Sequence, residues 1–259
     1  MTATDDSRKK AGEPQCAAMP EDWQRALAVV AHPDDLEYGV AAAVAEWTAR
    51  GKEVVYLLAT RGEAGIDTMD PAKAARVREA EERASAAVVG VTQVEFLDHR
   101  DGVIEEGVAL RRDIAGAVRR HRPDLVVTIN HRETWGSAPG SPWNTPDHRA
   151  VGRATLDAVG DAGNRWIFTE QLRAEGLEPW DGVRWVAVAA SPAVTHAVPV
   201  GPEAAAQGLA SLREHRAYIT ALTGEDPEAY VRSIVEGGLD MYAPRFAGRR
   251  CVAFELHPC

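Results

Sequence analysis

Ala26-Leu27-Ala28-Val29-Val30-Ala31 runs without a polar break into His32-Pro33-Asp34-Asp35-Leu36-Glu37. The apolar run is too short for a buried helix and shows no alternation. It suits a strand covered on both faces, as in a parallel sheet. In open α/β sheets ligands bind beyond the carboxyl ends of the strands. The polar residues 32–37 therefore stand where a site is expected.

Similar runs recur outward from this one. They are Val54–Ala59, Val94–Leu97, Leu125–Ile129, Trp185–Ala189 and Cys251–Phe254. Between them lie helical patterns over Val40–Arg50, Pro71–Val89, Val108–His121, Asp147–Ala162 and Pro202–Leu222. Strands and helices alternating at this spacing predict βαβ units, hence one doubly wound α/β domain with a mostly parallel sheet and its active site at the C-terminal strand ends. Residues 132–146, rich in Gly, Pro and Trp, form a loop long enough to be functional.

Composition narrows the classes. Lys+Arg 29 against Asp+Glu 39 leaves a net charge of −10, which argues against a nucleic-acid binder. Three cysteines, Cys16, Cys251 and Cys259, do not make a disulfide framework. Residues 1–22 are polar and interrupted by Gly12, Pro14 and Pro20, and read as a flexible N-terminal tail before a domain over 23–259. No signal-peptide h-region or continuous apolar span is present, so no membrane association and a cytoplasmic location are expected.

The segment 32–37 packs a His, two adjacent Asp and a Glu at one strand end. Neighbouring carboxylates repel, and a divalent cation would let both ionise. The plainer alternative is that Asp34 or Asp35 caps a helix starting near Glu37, with His32 a turn residue. Downstream, Pro146-Asp147-His148-Arg149 opens a helix after the fourth strand pattern, whose end carries Asn130 and His131. His148 could reach the same rim. His32, Asp35 and His148 would then offer three ligands and an open fourth position, the layout of a catalytic zinc site. Asp147 alone could equally be an ordinary first-turn helix residue.

AHPDDLEYG at 31–39 with PDH at 146–148 resembles the PIG-L/LmbE-like deacetylase family. Thr60–Gly65, Arg78 and Glu81 with Val89-Gly90-Val91, and Leu97–Gly102 extend the likeness over roughly 25–165. It thins at Thr195–Val198 and Leu212–His215. The resemblance implies a Rossmann-like domain and a Zn²⁺-dependent deacetylase. His32, Asp35 and His148 would be the ligands and Asp34 the general base that activates water. The family's usual His before PDH is replaced by Thr145, which supplies no positive charge; His131 or His196 are candidates to fill that role. Arg61 and Arg78 are candidate substrate contacts, because Arg forks suit sugar oxygens and anions. Trp143 is a candidate pocket wall.

The expected function is a zinc-dependent hydrolase removing an acetyl or related acyl group from a small amino-sugar conjugate or natural-product intermediate, in a chain able to form a homo-oligomer. The alternatives are an amidase cleaving a thiol or antibiotic conjugate, and a non-catalytic, metal-containing sugar- or metabolite-binding protein. The turn after the first strand is not GxGxxG, which argues against a dinucleotide enzyme.

Overall fold

The run at 26–31 forms an interior strand of the sheet, with neighbours on both sides. A computed structural model describes residues 15–223 and 227–259. Its strands are β1 (Ala17–Ala18), β2 (Arg25–Val30), β3 (Glu53–Leu58), β4 (Gln93–Phe96), β5 (Leu125–Ile129), β6 (Trp185–Ala189), β7 (His196–Pro199) and β8 (Cys251–Pro258). Its helices are α1 (Asp35–Gly39), α2 (Ala41–Ala49), α3 (Pro71–Val88), α4 (Val108–His121), α5 (Pro146–Gly163), α6 (Thr169–Arg173), α7 (Pro202–Arg213), α8 (Arg216–Thr223) and α9 (Pro227–Met241).

The sheet order is β1-β7-β8-β6-β5-β2-β3-β4. All neighbours run parallel except β8, which is antiparallel to both β6 and β7. The chain winds from β2 through β3 to β4, then returns to place β5 on β2's other side. The β2/β5 boundary is therefore the switch point of a doubly wound sheet, where a ligand crevice opens. Ala26, Ala28 and Val30 pack into a layer with α2, α3 and α7, while Leu27, Val29 and Ala31 pack against α4 and α5. Two covered faces explain the unbroken apolar run, and each buried Val or Leu contributes about 1.5–3 kcal/mol.

Several elements differ from expectation. Of the stretch 1–22, residues 1–14 lie outside the described residues. Cys16 and Met19, by contrast, are buried, and Ala17–Ala18 pairs with His196–Ala197. The added strand satisfies backbone groups on the edge of β7. The single helix expected over Pro202–Leu222 is two, α7 and α8, divided where His215 turns inward with no exposed surface. Neither β7 nor α9 stood out in the sequence: the first is four residues long and ends in Pro199, the second carries Gly237-Gly238.

Loop 132–146 folds back on itself. Trp135 N–H donates to Pro142 O at 3.0 Å and Asn144 N–H to Glu133 O at 2.8 Å. The buried Asn144 amide reaches Asn130 O and Arg132 O, tying the loop's end to the end of β5. Thr145 then caps α5, accepting the His148 N–H, with Pro146 in the first turn. This chain of bonds delivers His148 to the rim beside β2.

Candidate active site

His32 follows β2, Asp35 opens α1, and His148 sits in the first turn of α5. Their ligand atoms lie within 4.8 Å of one another. His148 Nε2 is 3.0 Å from Asp35 Oδ1, and His32 Nδ1 is 3.7 Å from Asp35 Oδ2. Asp35 is no outward helix cap. Its Oδ2 turns back to accept the backbone N–H groups of Ala31 and His32, at 3.0 and 2.9 Å. Burial would raise the Asp35 carboxyl, but His148, His32 and the backbone bond outweigh it and hold it well below the carboxylate range.

The far side of His32 is fixed by two carboxylates. Its Nε2 lies 3.1 Å from both Asp101 and Asp147. Asp147 also accepts the Gly102 and Ile104 N–H groups, at 2.7 and 3.1 Å, so it braces the turn carrying Asp101. Burial pushes His32 down, but the bonds to Asp101 and Asp147, with Asp35, lift it to about 10. A carboxylate on one ring nitrogen places the proton there and leaves the other nitrogen to a metal.

Asp34 sits at φ 98°, ψ −24°, in left-handed backbone that costs a non-glycine residue about 1–3 kcal/mol. Buried partners hold it there. Its N–H donates to Glu82 Oε2 at 3.1 Å, and Arg78 Nη2 donates to Pro33 O at 2.5 Å. Arg78 also lies 3.3 Å from Asp34 Oδ1 and donates to Gly62 O at 3.1 Å. A Cβ at Gly62 or Gly65 would collide with its guanidinium, so glycine at both leaves the Arg its path. Burial raises Asp34 to about 6 against the lowering effect of Arg78. Beneath it, His215 lies 3.4 Å from Glu37 and 3.7 Å from Glu82, and Ser85 donates to Glu37 at 2.6 Å.

Two imidazoles and a carboxylate, one with its opposite nitrogen held by carboxylates, fit a divalent metal. Four buried or part-buried carboxylates, Asp34, Asp35, Asp101 and Asp147, converge on this point and favour positive charge there. The half-buried Asp35 supplies the oxygen donor, so the set is N₂O.

His32, Asp34, Asp35, Asp101 and His148 floor a cavity of about 760 Å³, which Arg78 and Thr145 also line. Arg61, His131, Trp143 and His196 do not line it. Arg61 is engaged by Glu79, Asp98 and Leu97 O outside the cavity. His131 lies under α5 at Gly152, its ring 6.4 Å from that of His257. His196 bonds its neighbour Thr195, and Trp143 is 65% exposed under the Arg149 guanidinium. The tryptophan at the cavity is Trp135, edge-on to His148 at 5.4 Å. Arg78, expected as a substrate contact, is 2% exposed at the cavity, with Nη1 on Gly62 O and Nη2 on Pro33 O. Asp101, Asp147, Glu82 and Tyr218, a cavity residue whose ring lies 4.1 Å from the Arg78 guanidinium, were not anticipated in these positions. Asp147's place beside His148 was the one local signal.

The family model described as PIG-L: GlcNAc-PI de-N-acetylase matches residues 27–159. The diacetylchitobiose deacetylase of Thermococcus kodakarensis is 31% identical over 160 residues, 61% of this chain and 57% of that protein. The 1D-myo-inositol 2-acetamido-2-deoxy-α-D-glucopyranoside deacetylase of Kineococcus radiotolerans is 32% identical over 169 residues, 52% of this chain and 45% of that one. The chain thus spans about half the length of these relatives. The structure of N,N′-diacetylchitobiose deacetylase from Pyrococcus horikoshii superposes with a TM-score of 0.79 at 24% identity, covering 92% of this chain and 85% of that one, a likeness of fold. With half of its length matched, from β2 through nearly all of α5, the chain belongs to the PIG-L family of GlcNAc-PI de-N-acetylases.

Proposed function

We propose that this chain is a metal-dependent N-deacetylase, hydrolysing the acetamide of a small amino-sugar conjugate or natural-product intermediate to acetate and a free amine. One observation carries this function: two imidazoles and a carboxylate within 4.8 Å, with a second, buried carboxylate, Asp34, beside them on the floor of a large cavity. The names of the two relatives described above, each a deacetylase, support it.

His32, Asp35 and His148 would hold the metal. Zn²⁺ bound there would polarise the amide carbonyl and lower the pKa of water to about 7. Asp34 accepts the proton of the attacking water and returns one to the departing nitrogen as the C–N bond breaks. Arg78 and Glu82 hold Asp34 in its strained conformation for that task. Asp101 and Asp147 keep the His32 proton on Nε2. Tyr38, Trp135 and Tyr218 wall the cavity and suit stacking on a sugar ring.

Thr145 favours a second function, a binder that kept the metal set without turnover. Its hydroxyl faces the His148 N–H at 3.3 Å and brings no charge to the cavity. Elemental mass spectrometry separates the cases from a protein without metal. About one divalent ion per wild-type chain is expected, lost in a folded His148→Ala variant. Acetate release from N-acetylated amino sugars should stop with a chelator and return with zinc. Metal and ligand binding with no acetate release from any of them would favour the binder. A wild type that takes up no metal would sink both functions.

A further inference from the structure

The hydroxyl groups that line the cavity are not equally occupied. Thr128 donates to Val29 O at 2.9 Å, Tyr38 and Tyr230 share a hydrogen bond of 2.7 Å, and Thr145 faces the His148 N–H at 3.3 Å. Tyr218 and Ser233 complete the set, and among the described residues neither has a hydrogen-bond partner. Ser233 is exposed on α9. Tyr218 is half-buried, and its oxygen opens to the cavity instead of being sealed in the core.

The rest of Tyr218 is held in place. It stands in the first turn of α8, three residues after His215, which has no exposed surface and lies 3.4 Å from Glu37 and 3.7 Å from Glu82. On either side of it, the Ala217 N–H donates to Glu81 Oε1 at 2.6 Å and Ile219 is buried in the core. The Arg78 guanidinium lies over the phenol ring, 4.1 Å from its centroid, and the same guanidinium is 3.3 Å from Asp34 Oδ1. The ring is therefore pinned one side chain away from the carboxylate that serves as base. Burial, with Asp34, pushes the phenol up, so the group keeps its proton and remains a donor.

A phenylalanine would make the same contact with Arg78 and fill nearly the same volume. The hydroxyl makes no hydrogen bond within the described residues, and holding it in a half-buried wall costs hydration unless something pairs with it. A rigid mount and an open donor together fit a group that meets a ligand.

We propose that Tyr218 is a substrate-reading residue, its hydroxyl hydrogen-bonded to a hydroxyl of the amino sugar while the acetamide lies beside Asp34. Selectivity for the sugar is then set in part from α8, outside the HPDD and PDH segments. The proposal deepens the deacetylase function and rests on it for the identity of the ligand.

The test compares full-length, zinc-loaded wild type with Tyr218→Phe, matched melting temperatures showing that both are folded. Acetate release is measured from N-acetylglucosamine and its 3-deoxy, 4-deoxy and 6-deoxy analogues. In wild type one of the three deoxy sugars should lose about fivefold in kcat/KM, the worth of one neutral hydrogen bond. Tyr218→Phe should raise KM for the parent sugar about fivefold and leave kcat within about twofold. It should also turn over that same analogue no worse than the parent. A merely structural role would lower all four sugars together and spare the pattern. Identical deoxy patterns in the two proteins therefore overturn the proposal and leave the deacetylase intact. So does a fall in kcat at constant KM, which would put the hydroxyl at the reacting amide instead. If no sugar is turned over, calorimetric binding of the same four decides. A loss of about fivefold in Tyr218→Phe, confined to sugars that carry the partner hydroxyl, upholds Tyr218 and removes the deacetylase. Equal binding by the two proteins, or binding by neither, overturns the assignment.

Discussion

If His32 is a ligand through Nδ1, its affinity for metal depends on the two carboxylates behind it. Asp101 and Asp147 each lie 3.1 Å from Nε2 and share its single N–H. Asp101 Oδ2 also accepts the Ala64 N–H at 2.8 Å. In Asp101→Asn the amide oxygen would stay on Ala64 and turn the NH₂ toward His32. An amide donor there pushes the imidazole proton to Nδ1, the atom the metal needs. Asp147 opposes that shift in the single variant, so metal affinity should fall about tenfold, ~1.4 kcal/mol. Asp147→Ala should do the same, with an added loss of stability because the Gly102 and Ile104 N–H groups lose their acceptor. In the double variant no acceptor remains on Nε2, and the loss should exceed the product of the two singles. Zinc affinity measured by competition with a chromophoric chelator gives the numbers, and circular dichroism with thermal melting confirms folding. A folded double variant whose zinc Kd stays within about threefold of wild type would refute the ligand assignment of His32 and the role of both carboxylates.

Further outcomes follow from neighbouring features. Glu82→Ala leaves the Asp34 N–H unpaired at φ 98°, an omission worth about 1–3 kcal/mol, so kcat should drop at least about tenfold with KM little changed. Glu82→Gln keeps an acceptor and should stay within about threefold of wild type; equal losses in the two variants would count against the clamp. Gly160→Ala, with nothing within 4 Å, should stabilise α5 by about 0.5–1 kcal/mol, whereas a Cβ at Gly152 would lie 2.6 Å from Ile129 O and should cost about 1–3 kcal/mol in urea denaturation. Opposite signs are required. Burial raises Glu255, but bonds from Arg132 and Ser191 outweigh it and hold its carboxyl below the usual value near 4.5. Its contribution to stability is therefore full above that value and is lost as pH falls through the lower folded-state pKa. Glu255→Gln should flatten the stability profile below about pH 5, and an unchanged acid limb would contradict this account.

The central strands and the main crossover helices were legible in the order of residues alone. Covered parallel strands leave a local mark, an unbroken apolar run such as 26–31, and long helices leave theirs in periodicity and in caps such as Asp70-Pro71 and Thr145-Pro146. That order also brought HPDD and PDH to one rim, because strand ends in a doubly wound sheet share an edge. Elements without such a mark went unread. β1 is two residues held by an edge, and α9 carries two glycines and turns different faces to the core and the cavity.

The contacts that shape the site were settled only in three dimensions. Asp147 reaches His32 across 115 residues and Glu82 reaches Asp34 across 48, with no shared local pattern to announce either. Its charged surroundings made Arg78 an exposed helix residue by default; glycines at 62 and 65 let it pass inward beneath Asp34 to the cavity. Trp143 and Trp135 sit in one loop with equal chemistry, and the fold-back of that loop alone put Trp135 against His148 and left Trp143 outside. Period and turn chemistry are properties of neighbouring residues, whereas a ligand's partner, a clamp and a pocket wall depend on how distant segments pack.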